Sequence, residues 1–229
     1  MRKNIYTAVG HFRRKRSADG QNYPVILVNR EEYPVDMQEM TVWTALSWRL
    51  LDFDQLEHEY DTLAWECGVQ PRRTLEDCLY RLVARGLVAS GAGETDFDAL
   101  YDLLGGLYVT PLSENPLFRL AVFLKLTVLR GVPFSKAQVL LRKERLNEAE
   151  AQVMALARQE LLSTAELIKC VEMGVDDIST TQKLMDALYD DEDTTSFNIP
   201  IKMQSAESRE IVTMAVANLY LRKQIIFQL

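Results

Sequence analysis

Gln70, Arg72 and Arg73 stand immediately ahead of Thr74, and Arg81 and Arg85 follow at one-turn spacing. Arginine forks fit the O6 and N7 acceptors of guanine, glutamine fits the edge of adenine, and arginines a turn or two further along reach phosphate oxygens. The set suits the reading of a duplex edge if a helix starting at Thr74 presents it. Glu76 and Asp77 oppose that use, because carboxylates are repelled by phosphates, and Asp77 with Arg81 is also an ordinary i to i+4 pair. A second, denser cluster is Phe12-Arg-Arg-Lys-Arg16. Arg13, Arg14, Lys15 and Arg16 suit a phosphate backbone or an acidic protein surface equally well.

Other chemistry finds few residues to carry it. There is no G-x-S-x-G elbow, no G-x-x-x-x-G-K loop and no G-x-G-x-x-G, so no catalytic residue is assigned and the chain is expected not to be an enzyme. The two histidines, His11 and His58, and the three cysteines, Cys67, Cys78 and Cys170, are scattered without ligand spacing. No metal, disulfide framework or cofactor is expected. The formal net charge is −7, which argues against a protein that coats nucleic acid without specificity. That charge is uneven: residues 1–30 carry seven Lys or Arg against one acid, and residues 31–110 carry five against sixteen.

Positioning these groups requires definite elements. Ile5 to Val9 alternates, and Tyr23 to Val28 is rich in β-branched residues. Asn29-Arg-Glu-Glu reads as a turn into Tyr33-Pro-Val35, so a hairpin or a small three-stranded sheet is expected, with the basic cluster in the turn before Asn22. Asp36 with Glu39 predicts a capped helix to about Leu51, Asp54 opens a second helix that Gly68 stops, and Thr74 caps a third. That third helix carries Leu75, Cys78, Leu79 and Leu82 on one stripe and ends at Gly86, where Leu87 begins a strand. A loop with a helical stretch at Phe97 to Leu104 and a returning strand, Leu107 to Thr110, complete the expected wing, with Gly91-Ala-Gly93 as its turn. Trp43, Trp48 and Trp65 are expected to pack in the core.

Two prolines within Pro111 to Pro116 mark a boundary. Connecting helices are expected over Leu117 to Leu129 and Ser135 to about Arg145, followed by helices over Glu148 to Gln159, Ser163 to Met173 and Gln182 to Tyr189. Phe197 to Met203 reads as extended around Pro200, and a helix from Glu207 to Arg222 hands over to a strand at Ile225. The fold class is mainly α with small β-sheets (α+β), as tandem winged helix-turn-helix domains: 1–111 with the N-terminal hairpin, 112–146 as connecting helices and 147–229 as the second unit.

Val25 to Asp36, then Val42-Trp43, Leu75-Glu-Asp77 and Leu79 to Val88, resemble the peptide-binding winged helices of modified-peptide biosynthesis, the family that includes the peptide chaperone of PQQ synthesis. The resemblance covers about residues 5–90. It implies that a leader peptide adds a strand beside Tyr33 and Val35 and packs against Leu75, Leu79 and Leu82. The leading expectation is a sequence-specific DNA-binding regulator working as a homodimer in the cytoplasm. In it Gln70, Arg72, Arg73 and Thr74 read or orient, and Arg81, Arg85 and Arg13 to Arg16 meet phosphate. The alternative is an adaptor for a peptide or for a chromosome-associated protein, since acidic tandem winged helices of the segregation and condensation type bind protein. No run is long and apolar enough for a membrane span.

Overall fold

The computed structural model describes residues 2–16, 20, 22–112, 145–191 and 193–229. The fold is mixed α+β, with small antiparallel sheets set among helices. The connecting helices expected between Leu117 and Arg145 lie, but for Arg145 itself, outside the described residues.

Strand β1 (Lys3–Ala8) pairs with β5 (Val88–Gly93), running from Lys3 opposite Gly93 to Ala8 opposite Val88. Strands β2 (His11–Arg16), β3 (Asn22–Val28) and β4 (Glu31–Pro34) make a three-stranded sheet in that order. The β3–β4 hairpin turns on Asn29 and Arg30, both at positive φ (51° and 70°), the two-residue geometry that matches strand twist. The basic cluster expected in a turn is therefore the strand β2. Its residues are exposed on both sides, so it lacks the apolar alternation by which a strand is recognised.

Three helices follow, each opened by a side chain that accepts an otherwise orphaned amide. Asp36 caps α1 (Met37–Leu46) in a reciprocal box with Glu39, Asp52 rather than Asp54 caps α2 (Phe53–Cys67), and Thr74 caps α3 (Leu75–Ala84). Helix α1 stops short of Leu51 because Trp48 takes a left-handed conformation (φ 55°).

The expected wing does not form as a hairpin. Strand β5 pairs with β1, and β6 (Tyr108–Pro111) joins β7 (Leu162–Ser163) and β8 (Ile225–Gln228) in a separate sheet, ordered β7-β6-β8. Helix α4 (Asp96–Leu104) intervenes and lies on β5 backbone to backbone, so Gly91 and Gly93 mark a close approach and not a turn.

The C-terminal helices are α5 (Glu148–Ala157), α6 (Thr164–Glu172), α7 (Thr181–Leu188), α8 (Ile199–Lys202) and α9 (Arg209–Leu221). Phe197 to Met203 is not extended. Pro200 sits in the first turn of α8, where its missing N–H costs nothing, and the segment continues as a 3-10 turn over Met203–Ser205. One core runs through both halves, from Ile26, Trp43 and Leu82 to Leu156, Val216 and Phe227. No helix among the described residues is long and apolar enough to cross a membrane.

Candidate functional site

The arginines of α3 converge on one carboxylate. Glu39 is almost fully buried. Arg81 Nε donates to its Oε1 at 2.9 Å, Arg85 Nη1 donates to its Oε2 at 3.2 Å, and Arg73 Nη1 lies 3.8 Å away. Arg73 also pairs with Asp36. Burial pushes the Asp36 carboxyl up, but the Glu39 amide and the Arg73 guanidinium outweigh it and hold the group below its ordinary value. Arg85 Nη2 reaches further, donating to the Pro34 carbonyl at 2.5 Å. The structure thus brings Arg73, Arg81 and Arg85 together at the junction of α1, α3 and β4.

Gln38, which the sequence did not single out, fixes the turn between α2 and α3. Its Oε1 accepts the amides of Arg72 (3.0 Å) and Arg73 (3.3 Å), and its Nε2 donates to the Arg73 carbonyl (2.7 Å) and to the Tyr60 hydroxyl (3.1 Å). The Thr74 hydroxyl accepts the Asp77 amide and serves as a cap. Gln70, Arg72 and Thr74 remain exposed at this corner, which opens into a polar cleft also lined by Met37 and Cys67.

The residues of the expected peptide groove are placed differently from one another. Val35, Leu79 and Leu82 are core residues, whereas Tyr33 and Leu75 are half-buried at its margin. Tyr33 donates from its hydroxyl to Glu31 at 2.8 Å. In the hairpin, Val35 N–H reaches the Pro24 carbonyl, so Glu31, Tyr33 and Val35 face β3 while Glu32 and Pro34 face outward. Pro34 has no amide to offer, and its carbonyl is held by Arg85.

Strand β2 closes the other side of this sheet. Arg13 lies 4.0 Å from Glu32 and Lys15 also pairs with it, on the face of the sheet that carries Val25 and Leu27. The Lys15 ammonium holds the Glu32 carboxyl below its usual range, chiefly through their hydrogen bond. Among the described residues Arg14 makes no ion pair, and Arg16 donates only to the Gly20 carbonyl, at 3.2 Å. Beside the start of β2 is an apolar pocket of about 480 Å³ bordered by Phe12, Met40, Trp43 and Trp48. Trp43 is core, Trp48 donates its indole N–H to the Ile225 carbonyl at 3.3 Å, and Trp65, expected inside, is 89 % exposed on α2. No group of His, Cys, Asp and Glu among the described residues is arranged to hold a metal ion. In comparison with known proteins, no family model, curated protein or solved structure matches this chain.

Proposed function

We propose that the chain is a non-enzymatic adaptor that captures an extended segment of a partner polypeptide by adding it as a strand to its N-terminal sheet. The observation that carries this reading is that sheet itself. Both of its outer strands, β2 and β4, lack a further strand partner among the described residues. Unpaired backbone donors and acceptors at an edge are a template for another extended chain, and flanking pockets select its side chains. In this reading the N-terminal strands with α1 to α3 act as a peptide-recognising winged helix, and the unit from β6 to β8 is a second winged-helix-like domain that braces it. The commitment of Arg73, Arg81 and Arg85 to Glu39 favours this over base reading by α3. Selection of bound sequences from a random displayed-peptide library, followed by calorimetry with the recovered peptides, tests it. Saturable binding that survives added salt is expected, and recovery of no binding peptide overturns it.

A sequence-specific DNA-binding regulator is the second reading, favoured by the outward presentation of Gln70, Arg72 and Arg14. It requires retardation of selected DNA fragments that weakens steeply with salt, and loss of affinity in both Arg72→Ala and Arg14→Ala.

A further inference from the structure

The edges of β1, β4, β5 and β8 are each at least partly occupied, in different ways, and the edge of β2 is not. On β4, only Glu32 presents outward backbone groups that no described residue occupies, because Pro34 is blocked by its ring and by Arg85. On β8, the outward carbonyls of Ile225 and Phe227 accept from the Trp48 indole and the Gly10 amide, the latter at 2.8 Å. On β1, Tyr6 exchanges two backbone bonds with Leu51, and on β5 the Ala92 amide donates to Asp102 at 2.8 Å beneath α4. Strand β2 differs. Because Ile26 and Val28 of β3 face β4, residues Val25 and Leu27 face β2, and their partners Arg13 and His11 point inward. The backbone groups of Phe12, Arg14 and Arg16 therefore point out, and they bond to no described residue.

The same alternation sorts the side chains. Phe12, Arg14 and Arg16 lie on the face shared with buried Ile26, toward α1, and Phe12 borders the apolar pocket with Met40, Trp43 and Trp48. Arg13 and Lys15 lie on the other face, already neutralised by Glu32. On β2, the cations that pair with no described carboxylate, Arg14 and Arg16, thus lie on the pocket side of an open edge.

We infer that the ligand is an extended peptide added as a fourth strand outside β2, with one large apolar side chain in the pocket beside Phe12. Carboxylates two and four positions along stand opposite Arg14 and Arg16. This rests on the adaptor reading and narrows it to one edge and one ligand chemistry.

The probes are fluorescein-labelled Thr-Phe-Thr-Glu-Thr-Glu-Thr and its reversal, one for each strand direction, titrated into the full chain. One direction should bind saturably. Replacing Phe by Ser should abolish binding, and replacing both Glu by Lys should weaken it about tenfold, the sum of two exposed attractions turned to repulsions. Arg14→Glu should weaken the Glu peptide and strengthen the Lys peptide, a swap that unfolding does not mimic. Residue-resolved hydrogen exchange should show the Phe12, Arg14 and Arg16 amides fast in the free chain and slowed by peptide. Slow exchange there without peptide overturns the inference, as does protection at Glu32 instead. Failure of both probes while library peptides bind overturns it and leaves the adaptor reading standing. Failure of probes and library alike removes both, and protection of β2 by DNA but not by peptide assigns the edge to nucleic acid.

Discussion

Glu39 decides what the arginines of α3 are free to do. Its carboxylate is buried, and its two oxygens are shared among Arg73, Arg81 and Arg85 while it also closes the cap of α1. Removing it leaves three cations facing each other, although each is partly exposed and regains some hydration. Glu39→Ala should therefore lower the unfolding free energy by about 2–3 kcal/mol in urea denaturation, at or just below the roughly 3–5 kcal/mol of a fully buried pair. Glu39→Gln, which keeps an acceptor for the Asp36 amide, should cost less. The cap was legible in the sequence because Asp36 and Glu39 are three residues apart and act locally. The arginine cluster was not, because its members lie more than thirty residues further along, and a basic helix face looks the same whether it meets phosphate or a carboxylate of its own chain. Gln38 was missed for the same reason: its partners are turn amides that no spacing marks.

At the level of elements, those that announce themselves by caps and stops were legible. Asp36, Thr74 and Ser163 open helices where their side chains accept the third amide, and Gly86 (φ +68°) ends α3 in the left-handed region. Pairing was not legible, because β5 and β6 follow one another in sequence yet belong to different sheets. Two glycines test the distinction. A Cβ on Gly86 meets only the tip of Leu229, so Gly86→Ala should cost about 1 kcal/mol, the penalty of the backbone conformation. A Cβ on Gly91 falls 2.3 Å from Leu103 N and 2.5 Å from the Ala99 carbonyl, and α4 cannot yield without leaving β5. Gly91→Ala should cost more, roughly 2–3 kcal/mol as overpacking of backbone on backbone, and equilibrium denaturation of the two variants side by side should show that order.

Across the whole molecule, Tyr220 ties the C-terminal helix α9 to the N-terminal strands. Its buried hydroxyl accepts from Thr7 Oγ1 and from the Trp48 amide, both at 2.9 Å, and it donates toward the Ala8 carbonyl at 3.3 Å, with its ring stacked on Phe227. Tyr220→Phe keeps the ring but leaves the Trp48 amide unpartnered, so a loss of about 1–3 kcal/mol is expected, the cost of one orphaned buried donor. The same burial makes the joint sensitive to alkali. Burial pushes the Tyr220 phenol up to about 12, against the smaller downward pull of the bonds from Thr7 and Trp48, and burial also takes Tyr101 to about 12. An unfolded chain releases these protons near pH 10, so its ionisation draws the equilibrium away from the fold. The stability that Tyr220 contributes is complete below about pH 10 and is lost as the pH rises toward 12. Tyrosinate absorbance at 295 nm should thus gain a late step that coincides with loss of the helical circular dichroism signal. In Tyr220→Phe the fold should begin less stable but lose less of its stability between pH 10 and pH 12. An early, reversible titration of Tyr220 with the fold intact would mean that its hydroxyl faces water and that the two halves are joined elsewhere.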